Sequence, residues 1–196
     1  MMKNISRPVK SIAASLSVVG LLAFSQALPV HAAADTGVTI TGGSLSGGAL
    51  TFANFTPITL GTDTTATSTW AIANVTDARG SGAGWHLSLS LSQLTEYLGA
   101  AYIAGGKTIP TGSIKVTTAP IVALVGSTGS ASTTVTPVSA NTALDTGSAV
   151  TLASAAADGG MGTYSFSSMT ATLTVPANVY AKLYKSDATV SVTTAP

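Results

Sequence analysis

The sequence contains no cysteine in its 196 residues. This absence excludes a disulfide framework, a catalytic thiolate and a lipid-modified N-terminal cysteine. The fold must therefore depend on its apolar core alone. A chain of this length suffices for one domain, which buries about 70% of the surface that its unfolded form exposes.

Charge is also scarce, because only 8% of the residues are Asp, Glu, Lys or Arg. Three of the eight basic residues lie within the first ten positions, ahead of an apolar stretch over residues 12–30 and a run of small residues that ends at Ala34. This pattern predicts a secretory signal peptide over residues 1–34, cleaved after Ala32 or Ala34. A membrane-spanning segment is the weaker interpretation, because the stretch contains serines and a glutamine and no basic stop-transfer patch follows it.

After removal of that segment, five basic residues remain against seven acidic ones, so the net charge changes from +1 to about −2. The remaining lysines, Lys107, Lys115, Lys182 and Lys185, are dispersed along the sequence. A chain without a basic cluster has no electrostatic footprint for nucleic acid. Nucleic acid is therefore excluded as a partner.

The segment after Tyr184 has no hydrophobic tail and no sorting signal. We therefore expect no membrane insertion once the signal peptide has been removed, and no covalent anchor. A secreted protein of this kind diffuses away, assembles into a larger structure, or stays at the cell surface by recognition. These three outcomes frame the question of function.

Good helix formers are rare, and Glu96 is the only glutamate. Thr, Ser, Gly and Ala dominate instead, which favours strands and turns. Apolar residues alternate with polar ones in 85–91, where Trp85, Leu87, Leu89 and Leu91 share one face. The same period of two recurs in 170–175 and 188–193, so three strands with one apolar face are predicted.

Shorter candidate strands are separated by Gly, Pro, Asn and Asp turn signals. They lie at Val38–Ile40, Ala49–Phe52, Ile58–Leu60, Ser68–Val75, Ala101–Ala104, Ser113–Val116, Val122–Val125, Thr133–Val138 and Val150–Leu152. About a dozen short strands at this spacing predict an all-β fold, a single β-sandwich of Ig-like or Greek-key type over residues 35–196. Residues 92–98 allow one helical turn, and residues 126–149 are interpreted as a loose hairpin or a mobile loop.

Catalytic chemistry has little to build on. His86 is the only histidine after the predicted cleavage, the carboxylates are dispersed, and no known hydrolase, P-loop or metal-ligand motif is present. The glycine-rich run at 79–84 precedes a strand instead of a helix, so it is a turn and not a phosphate cradle. We expect no enzyme activity, no metal and no cofactor.

Trp85 leaves two interpretations open. It shares its face with three leucines, which favours a core position. It also follows three glycines at the start of its strand, so its ring could lie at the rim of the sandwich and stack against a sugar. Trp70 is expected inside. Asp77 and Arg79 flank the turn and are expected to fix it, as an ion pair or through an Asp cap.

The segment "VTDARGSGAGWHLSLSLSQL" at 75–94, followed by "LGAAYI" at 98–103, resembles the first half of the WxL domain of Gram-positive surface proteins. The pattern of that family is Val-x-Asp-x-Arg followed by Gly-x-Gly-Trp-x-Leu. The segments 50–60 and 173–196 resemble its opening and closing regions. The resemblance implies a secreted all-β domain that attaches non-covalently to the cell wall, with peptidoglycan or another wall polymer as the ligand. Other surface proteins of the same gene cluster are its further implied partners.

The resemblance further implies that Trp85 and Leu87 bind the ligand, with Asp77, Arg79 and Gly84 in support. The family also has a second Trp-x-Leu near the C-terminus, where this sequence has Val190 and Val192 instead. The strand parity is kept, so we expect the fold to tolerate this difference better than wall binding does. The alternative function is a structural subunit of a surface layer or fibre, assembled through the edges of weakly charged strands.

Overall fold

The computed structural model describes residues 38–61, 64–126 and 133–195. The chain divides into two units, Met1–Thr39 and Ile40–Pro196. The structure describes only residues 38 and 39 of the first unit. The predicted signal peptide over residues 1–34 lies outside the described residues.

The described residues form fifteen strands and no helix. The strands are β1 (Leu45–Gly47), β2 (Leu50–Phe52), β3 (Thr64–Ile72), β4 (Val75–Asp77), β5 (Trp85–Leu91), β6 (Thr95–Leu98), β7 (Ala101–Tyr102), β8 (Ile114–Thr118), β9 (Val122–Leu124), β10 (Val135–Pro137), β11 (Val150–Ala155), β12 (Gly162–Phe166), β13 (Met169–Val175), β14 (Tyr184–Lys185) and β15 (Ala188–Thr194). The predicted all-β class is confirmed.

All strand pairs are antiparallel and belong to four sheets. Three sheets have four strands each, in the orders β1-β4-β12-β9, β10-β11-β5-β15 and β2-β3-β13-β8. The fourth is the small sheet β14-β6-β7. Strand β5 lies inside its sheet, paired with β11 on one side and β15 on the other. This arrangement is consistent with the predicted sandwich.

The alternation in the sequence explains the core. Along β5 every second residue is buried, and Trp85, Leu87 and Leu89 have no exposed surface. Strands β3 and β13 repeat the pattern, so that their apolar sides pack into the same cluster. Burial of such residues is the main favourable contribution to folding, at roughly 25 cal/mol per Å² of apolar surface.

Several predicted elements are wrong. Residues 92–98 contain no helical turn, because Thr95–Leu98 pair as β6 with β7 and β14. Val38–Ile40 and Ile58–Leu60 form no strand, and the exposed fractions of Val38 and Ile40 are 82% and 88%. An apolar β-branched run becomes a strand only where a partner strand accepts its hydrogen bonds.

Other strand boundaries also differ from the prediction. The predicted strand 68–75 is two strands, since β3 ends at Ile72 and Ala73 donates its N–H to Ala49. Strands β1, β12 and β14 were not predicted. Within the predicted loose segment 126–149, β10 pairs with β11, while residues 127–132 lie outside the description.

Candidate functional site

The Asp77 carboxylate fixes the turn that follows β4. The carboxylate is buried, and Arg79 forms a two-pronged contact with it, with Nε 2.9 Å from Oδ1 and Nη2 2.8 Å from Oδ2. The Arg79 backbone N–H also donates to Oδ1, at 3.1 Å. These hydrogen bonds from Arg79 lower the pKa of Asp77 below its ordinary value of 3.8, although burial acts in the opposite direction.

The Arg79 guanidinium also connects two further segments. Nη2 donates to the Gly84 carbonyl at 2.6 Å, directly before β5, and Nη1 donates to the Thr194 hydroxyl at 2.7 Å, at the end of β15. One side chain thus joins the ends of β4, β5 and β15. The predicted ion pair between Asp77 and Arg79 is confirmed.

The Trp85 ring lies inside the domain. Its exposed fraction is 0%, its indole Nε1 donates to the Gly160 carbonyl at 2.9 Å, and its centroid lies 5.9 Å from that of Tyr164. The interpretation of Trp85 as a core residue is therefore confirmed, and its position at an exposed rim is wrong. Leu87 is likewise 0% exposed. Trp70 is interior as predicted, with its Nε1 bonded to Ser68.

Two glycines allow close backbone packing beside Trp85. Gly84 and Gly160 have φ values of 67° and 75°, in the left-handed region that favours glycine. A Cβ at Gly160 would lie 2.7 Å from the Trp85 indole nitrogen, and one at Gly84 would collide with the carbonyl of Ala155. The glycine directly before Trp85 in the Gly-x-Gly-Trp sequence is thus a requirement of packing.

The five predicted site residues are therefore close together, but Asp77, Trp85 and Leu87 are buried and Arg79 is half-buried. Asp77, Arg79 and Gly84 form the turn, and they position the strand that begins with Trp85 and Leu87. In this conformation Trp85 and Leu87 have no surface that could touch a polymer. A role of the five residues in ligand binding stays a prediction.

The comparisons with known proteins identify the family. The family model described as "WxL domain surface cell wall-binding" matches residues 39–196, which is most of the chain. The chain belongs to the WxL family. No curated protein and no solved structure gives a significant match. As a WxL protein, the chain is a surface protein with a cell wall-binding domain.

The two valines at the second WxL position lie beside the first motif. In the β5–β15 ladder, Val192 is the direct partner of Leu87 and Val190 that of Leu89. Both valines are half-buried and pack against the core cluster. The predicted parity of this strand is confirmed, because its apolar side chains still face inward.

The residue between Trp85 and Leu87 faces the other way. His86 is half-buried and lines a groove of about 630 Å³ with Thr134, Thr136 and Ser154. Its Nδ1 is buried and has no hydrogen-bond partner within the described ranges. Of the WxL segment, the middle residue is thus the one that lines a surface groove.

A second polar region was missed by sequence reasoning. Around the small sheet β14-β6-β7 lie four tyrosines, three lysines and two carboxylates, which we call the tyrosine–lysine patch. Its members are Tyr97, Tyr102, Tyr180, Tyr184, Lys107, Lys182, Lys185, Glu96 and Asp187. These residues are dispersed in sequence, and only the pairing of β6 with β7 and β14 brings them together.

Contacts within this patch are specific. The Tyr97 and Tyr102 rings meet edge to face at 5.2 Å, and the Lys185 ammonium lies 4.0 Å from the Tyr97 centroid. The Tyr102 hydroxyl donates to Asp187 at 2.8 Å. Burial, followed by this hydrogen bond, raises the pKa of Tyr102 to about 12.

The other fully buried carboxylate, Asp145, has a structural position. Its oxygens accept hydrogen bonds from three consecutive backbone N–H groups, those of Gly112, Ser113 and Ile114, at 2.9, 3.2 and 3.1 Å.

No group of three or more His, Asp or Glu side chains suited to a metal occurs in the part of the chain that the structure describes. The same part holds no helix that is long and apolar enough to cross a membrane.

Proposed function

We propose that this chain is a secreted, non-enzymatic protein that attaches non-covalently to bacterial peptidoglycan through its folded domain. The observation that carries the proposal is the family match over residues 39–196, which covers almost the whole described domain. The proposal includes removal of the signal peptide over residues 1–34, which delivers a chain of residues 35–196 to the cell surface. Other surface proteins of the same gene cluster are proposed as further partners.

The positions of the buried carboxylates support a non-enzymatic function. The Asp77 carboxylate accepts hydrogen bonds from Arg79, and the Asp145 carboxylate accepts them from three backbone N–H groups. A carboxylate that acts as a general acid or base needs access to substrate and a pKa near the working pH. Hydrogen bonds hold the pKa of Asp77 below its ordinary value, which is the wrong direction for such a role.

We propose a positioning role for Trp85, Leu87, Asp77, Arg79 and Gly84. Trp85 and Leu87 anchor the inner face of β5, while Asp77, Arg79 and Gly84 hold its entry and the end of β15. On this proposal, the motif acts on wall binding through the shape of the surface that it supports. The motif would then matter for binding without touching the polymer.

Co-sedimentation with purified Gram-positive sacculi tests the function. We expect residues 35–196 to pellet with sacculi, to stay bound through washing with buffer, and to be released by denaturant, as non-covalent attachment requires. Failure of the folded protein to pellet would contradict the proposal. Covalent attachment would leave protein on the sacculi after denaturant.

A matched pair of variants tests the positioning role. Trp85→Phe and Trp70→Phe each remove one buried indole and its hydrogen bond. Trp85, in the motif, loses its bond to the Gly160 carbonyl, and Trp70, outside the motif, loses its bond to Ser68. We measure the stability of both variants by urea unfolding and their binding to sacculi under conditions in which both are folded. We expect Trp85→Phe to weaken binding more than Trp70→Phe, relative to the stability that each variant loses. Equal effects would mean that the motif contributes to folding alone.

One observation favours the alternative function. Strand β15 pairs with β5 along one edge, and among the described residues its other edge has no partner strand. Its seven residues carry no charge, so they lack a usual protection against edge-to-edge pairing. Filaments in electron micrographs, lost in a Thr189→Lys variant and without affinity for sacculi, would favour a fibre subunit over a wall-binding protein.

A further inference from the structure

The tyrosine–lysine patch concentrates charge and aromatic rings that the rest of the chain lacks. It holds four of the five tyrosines, and three of the five basic residues that remain without the predicted signal peptide. Against these lysines stand only Glu96 and Asp187, so the patch is positive on a domain whose net charge is about −2. A local positive region on an acidic domain attracts anionic ligands.

A groove opens at one side of this patch. It lies between residues 105–110 and residues 178–180 and has a volume of about 350 Å³. That volume falls within the range of sites for small ligands, about 300–1,000 Å³. Lys107 and Tyr180 line it from opposite segments, together with Thr108 and Asn178. We call it the Lys107–Tyr180 groove.

The Tyr180 ring is available for stacking. Its exposed fraction is 58%, although the Lys107 ammonium lies only 4.7 Å from the ring centroid. Most tyrosines of the patch are covered more fully by their neighbours. A ligand that stacks on the Tyr180 ring therefore lies next to a positive charge.

The charge of Lys107 is also available. Glu96 forms its ion pair with Lys182 at 3.2 Å and accepts the backbone N–H of Lys107 at 3.1 Å. Among the described residues the ion pairs are those of Arg79 with Asp77 and of Lys182 with Glu96. The Lys107 ammonium thus lies near the groove without an ion pair of its own among the described residues, and Glu96 attracts it only through the weaker Coulombic interaction that remains beside the Lys182 pair.

Backbone hydrogen bonds hold both walls of the groove. On one side, Gly106 N–H donates to Ile103 at 2.9 Å and Ile109 N–H donates to Leu94 at 3.0 Å. On the other side, Val179 N–H donates to Pro176 at 3.2 Å. A groove whose walls are already fixed loses less conformational entropy when a ligand binds.

We propose that the Lys107–Tyr180 groove binds a segment of wall glycan that carries a carboxylate or phosphate group. The proposal rests on the proposed wall-binding function and names the surface that makes the contact. The Tyr180 ring stacks on the apolar face of a sugar, the Lys107 ammonium pairs with the anionic group, and the Asn178 amide supplies hydrogen bonds to hydroxyls. Carboxylates of peptidoglycan and phosphates of attached wall polymers share this chemistry.

Co-sedimentation of single variants tests the two contacts. We expect Lys107→Gln to weaken binding to sacculi about two- to fivefold, as for one exposed charge contact. Loss of the ring in Tyr180→Leu should weaken binding about three- to tenfold, as for one aromatic contact. Both side chains are exposed, so thermal unfolding should show folds as stable as that of the wild type.

The controls separate these contacts from general effects of charge and hydrophobicity. Tyr180→Phe keeps the ring and should bind as the wild type does. Lys115→Gln removes an exposed lysine from β8, outside the patch, and should also leave binding unchanged. Raising the salt concentration to about 0.5 M should weaken binding of the wild type more than that of Lys107→Gln.

Two sacculus preparations identify the source of the anion. Hydrofluoric acid removes phosphate-containing polymers and leaves the peptidoglycan carboxylates. Binding that survives this treatment supports a carboxylate as the anion, and binding that is lost supports a phosphate. In both cases the protein should bind poorly to chitin, which is neutral. Wild-type binding that neither Lys107→Gln nor Tyr180→Leu reduces would overturn the groove proposal and leave the wall-binding function intact.

A wild type that binds neither preparation would instead overturn the proposed function. In that case an NMR titration with soluble muropeptides and with a short glycerol phosphate oligomer tests the groove directly. We expect the amide signals of Lys107 and Tyr180 to shift with one of these probes. No shift with either probe would overturn the groove proposal as well.

Discussion

At the scale of single residues, one ion pair connects three segments. Asp77 holds the Arg79 guanidinium in place, and that guanidinium reaches the Gly84 carbonyl and the Thr194 hydroxyl. The carboxylate itself is inaccessible, so its effect on function must pass through the structure. Its contribution to the free energy of unfolding can be measured, and the pH dependence shows how much of it comes from the negative charge.

Asp77→Asn is expected to destabilise the domain by about 1–3 kcal/mol at pH 7, because it removes the buried negative charge that pairs with Arg79 and places an amide NH2 against one of the Arg79 donors. Arg79 lowers the folded pKa of Asp77 below that of the unfolded chain. The contribution is therefore complete above the unfolded pKa and is lost as the pH falls through the folded one. Urea unfolding between pH 7 and pH 2 measures the free energy of unfolding of the variant and of the wild type. The difference between the two should become smaller below about pH 4.

Asp158→Asn provides the control for this pH series. Asp158 is exposed, and asparagine tolerates its φ of 62°. We expect this variant to follow the wild type at every pH. A gap for Asp77→Asn that stays constant on acidification would show that the charge of the carboxylate does not contribute.

Gly160 is expected to tolerate no side chain. Gly160→Ala places a Cβ in collision with the Ala155 Cβ and 2.7 Å from the Trp85 indole nitrogen, whereas Gly80→Ala, at a similar φ of 69°, meets nothing within 4 Å. Both variants carry the cost of the left-handed conformation, about 1–2 kcal/mol. Gly160→Ala should lose clearly more stability in urea unfolding and should shift the indole N–H signal of Trp85. Equal losses would contradict tight packing of Gly160 against Ala155 and the ring.

At the scale of elements, the interior strand β5 and the small sheet should respond differently to the same substitution. Leu89 in β5 is 0% exposed and Leu98 in β6 is 71% exposed. Leu89→Ala should destabilise the domain by about 2–5 kcal/mol, through lost burial and the cavity left behind. Leu98→Ala should change stability by less than about 0.5 kcal/mol in the same urea experiment. Similar losses would mean that the small sheet is part of the cooperative core.

Local patterns in the sequence predicted the elements that local patterns control. The alternation from Trp85 to Leu91 predicted both the strand and its buried face, because a period of two places every second side chain on one side. Asp77 and Arg79 are two residues apart, so their contact across a turn was also predictable. The sequence left open whether Trp85 faces the core or the rim and whether Asp77 acts as an ion pair or a cap, and the binding role of the five motif residues stays a prediction.

Long-range pairing decided the rest. Asp145 accepts N–H groups more than thirty positions earlier in the chain, and no sequence signal links the two segments. Strand β6 looked like a helical turn because its residues lack alternation, and its pairing with β14 across some ninety residues makes it a strand. The same pairing assembles the tyrosine–lysine patch. The groove proposed to bind glycan thus could not be found before the fold was known.

At the scale of the whole molecule, the charge of the protein depends on its first 34 residues. The full chain has a pI of about 8.0, and the five basic and seven acidic residues that remain after the predicted cleavage make the mature protein acidic. An acidic domain is repelled by anionic wall polymers unless a local positive region makes the contact. The distribution of charge on the mature protein therefore matters more for wall binding than its sum.

We expect protein extracted from washed cells with denaturant to begin at Ala33 or Asp35, because the basic segment, apolar stretch and small residues before these positions fit a cleaved signal peptide. Loss of three basic residues and no acidic ones should move its isoelectric point from about 8.0 to below neutrality. Intact-mass spectrometry measures the cleavage position, and isoelectric focusing measures the charge. The full chain, expressed without secretion, is the control for both. A wall-associated protein that keeps its first residues and focuses at basic pH would contradict cleavage, and the positive charge near its N-terminus would then be an alternative cause of its retention.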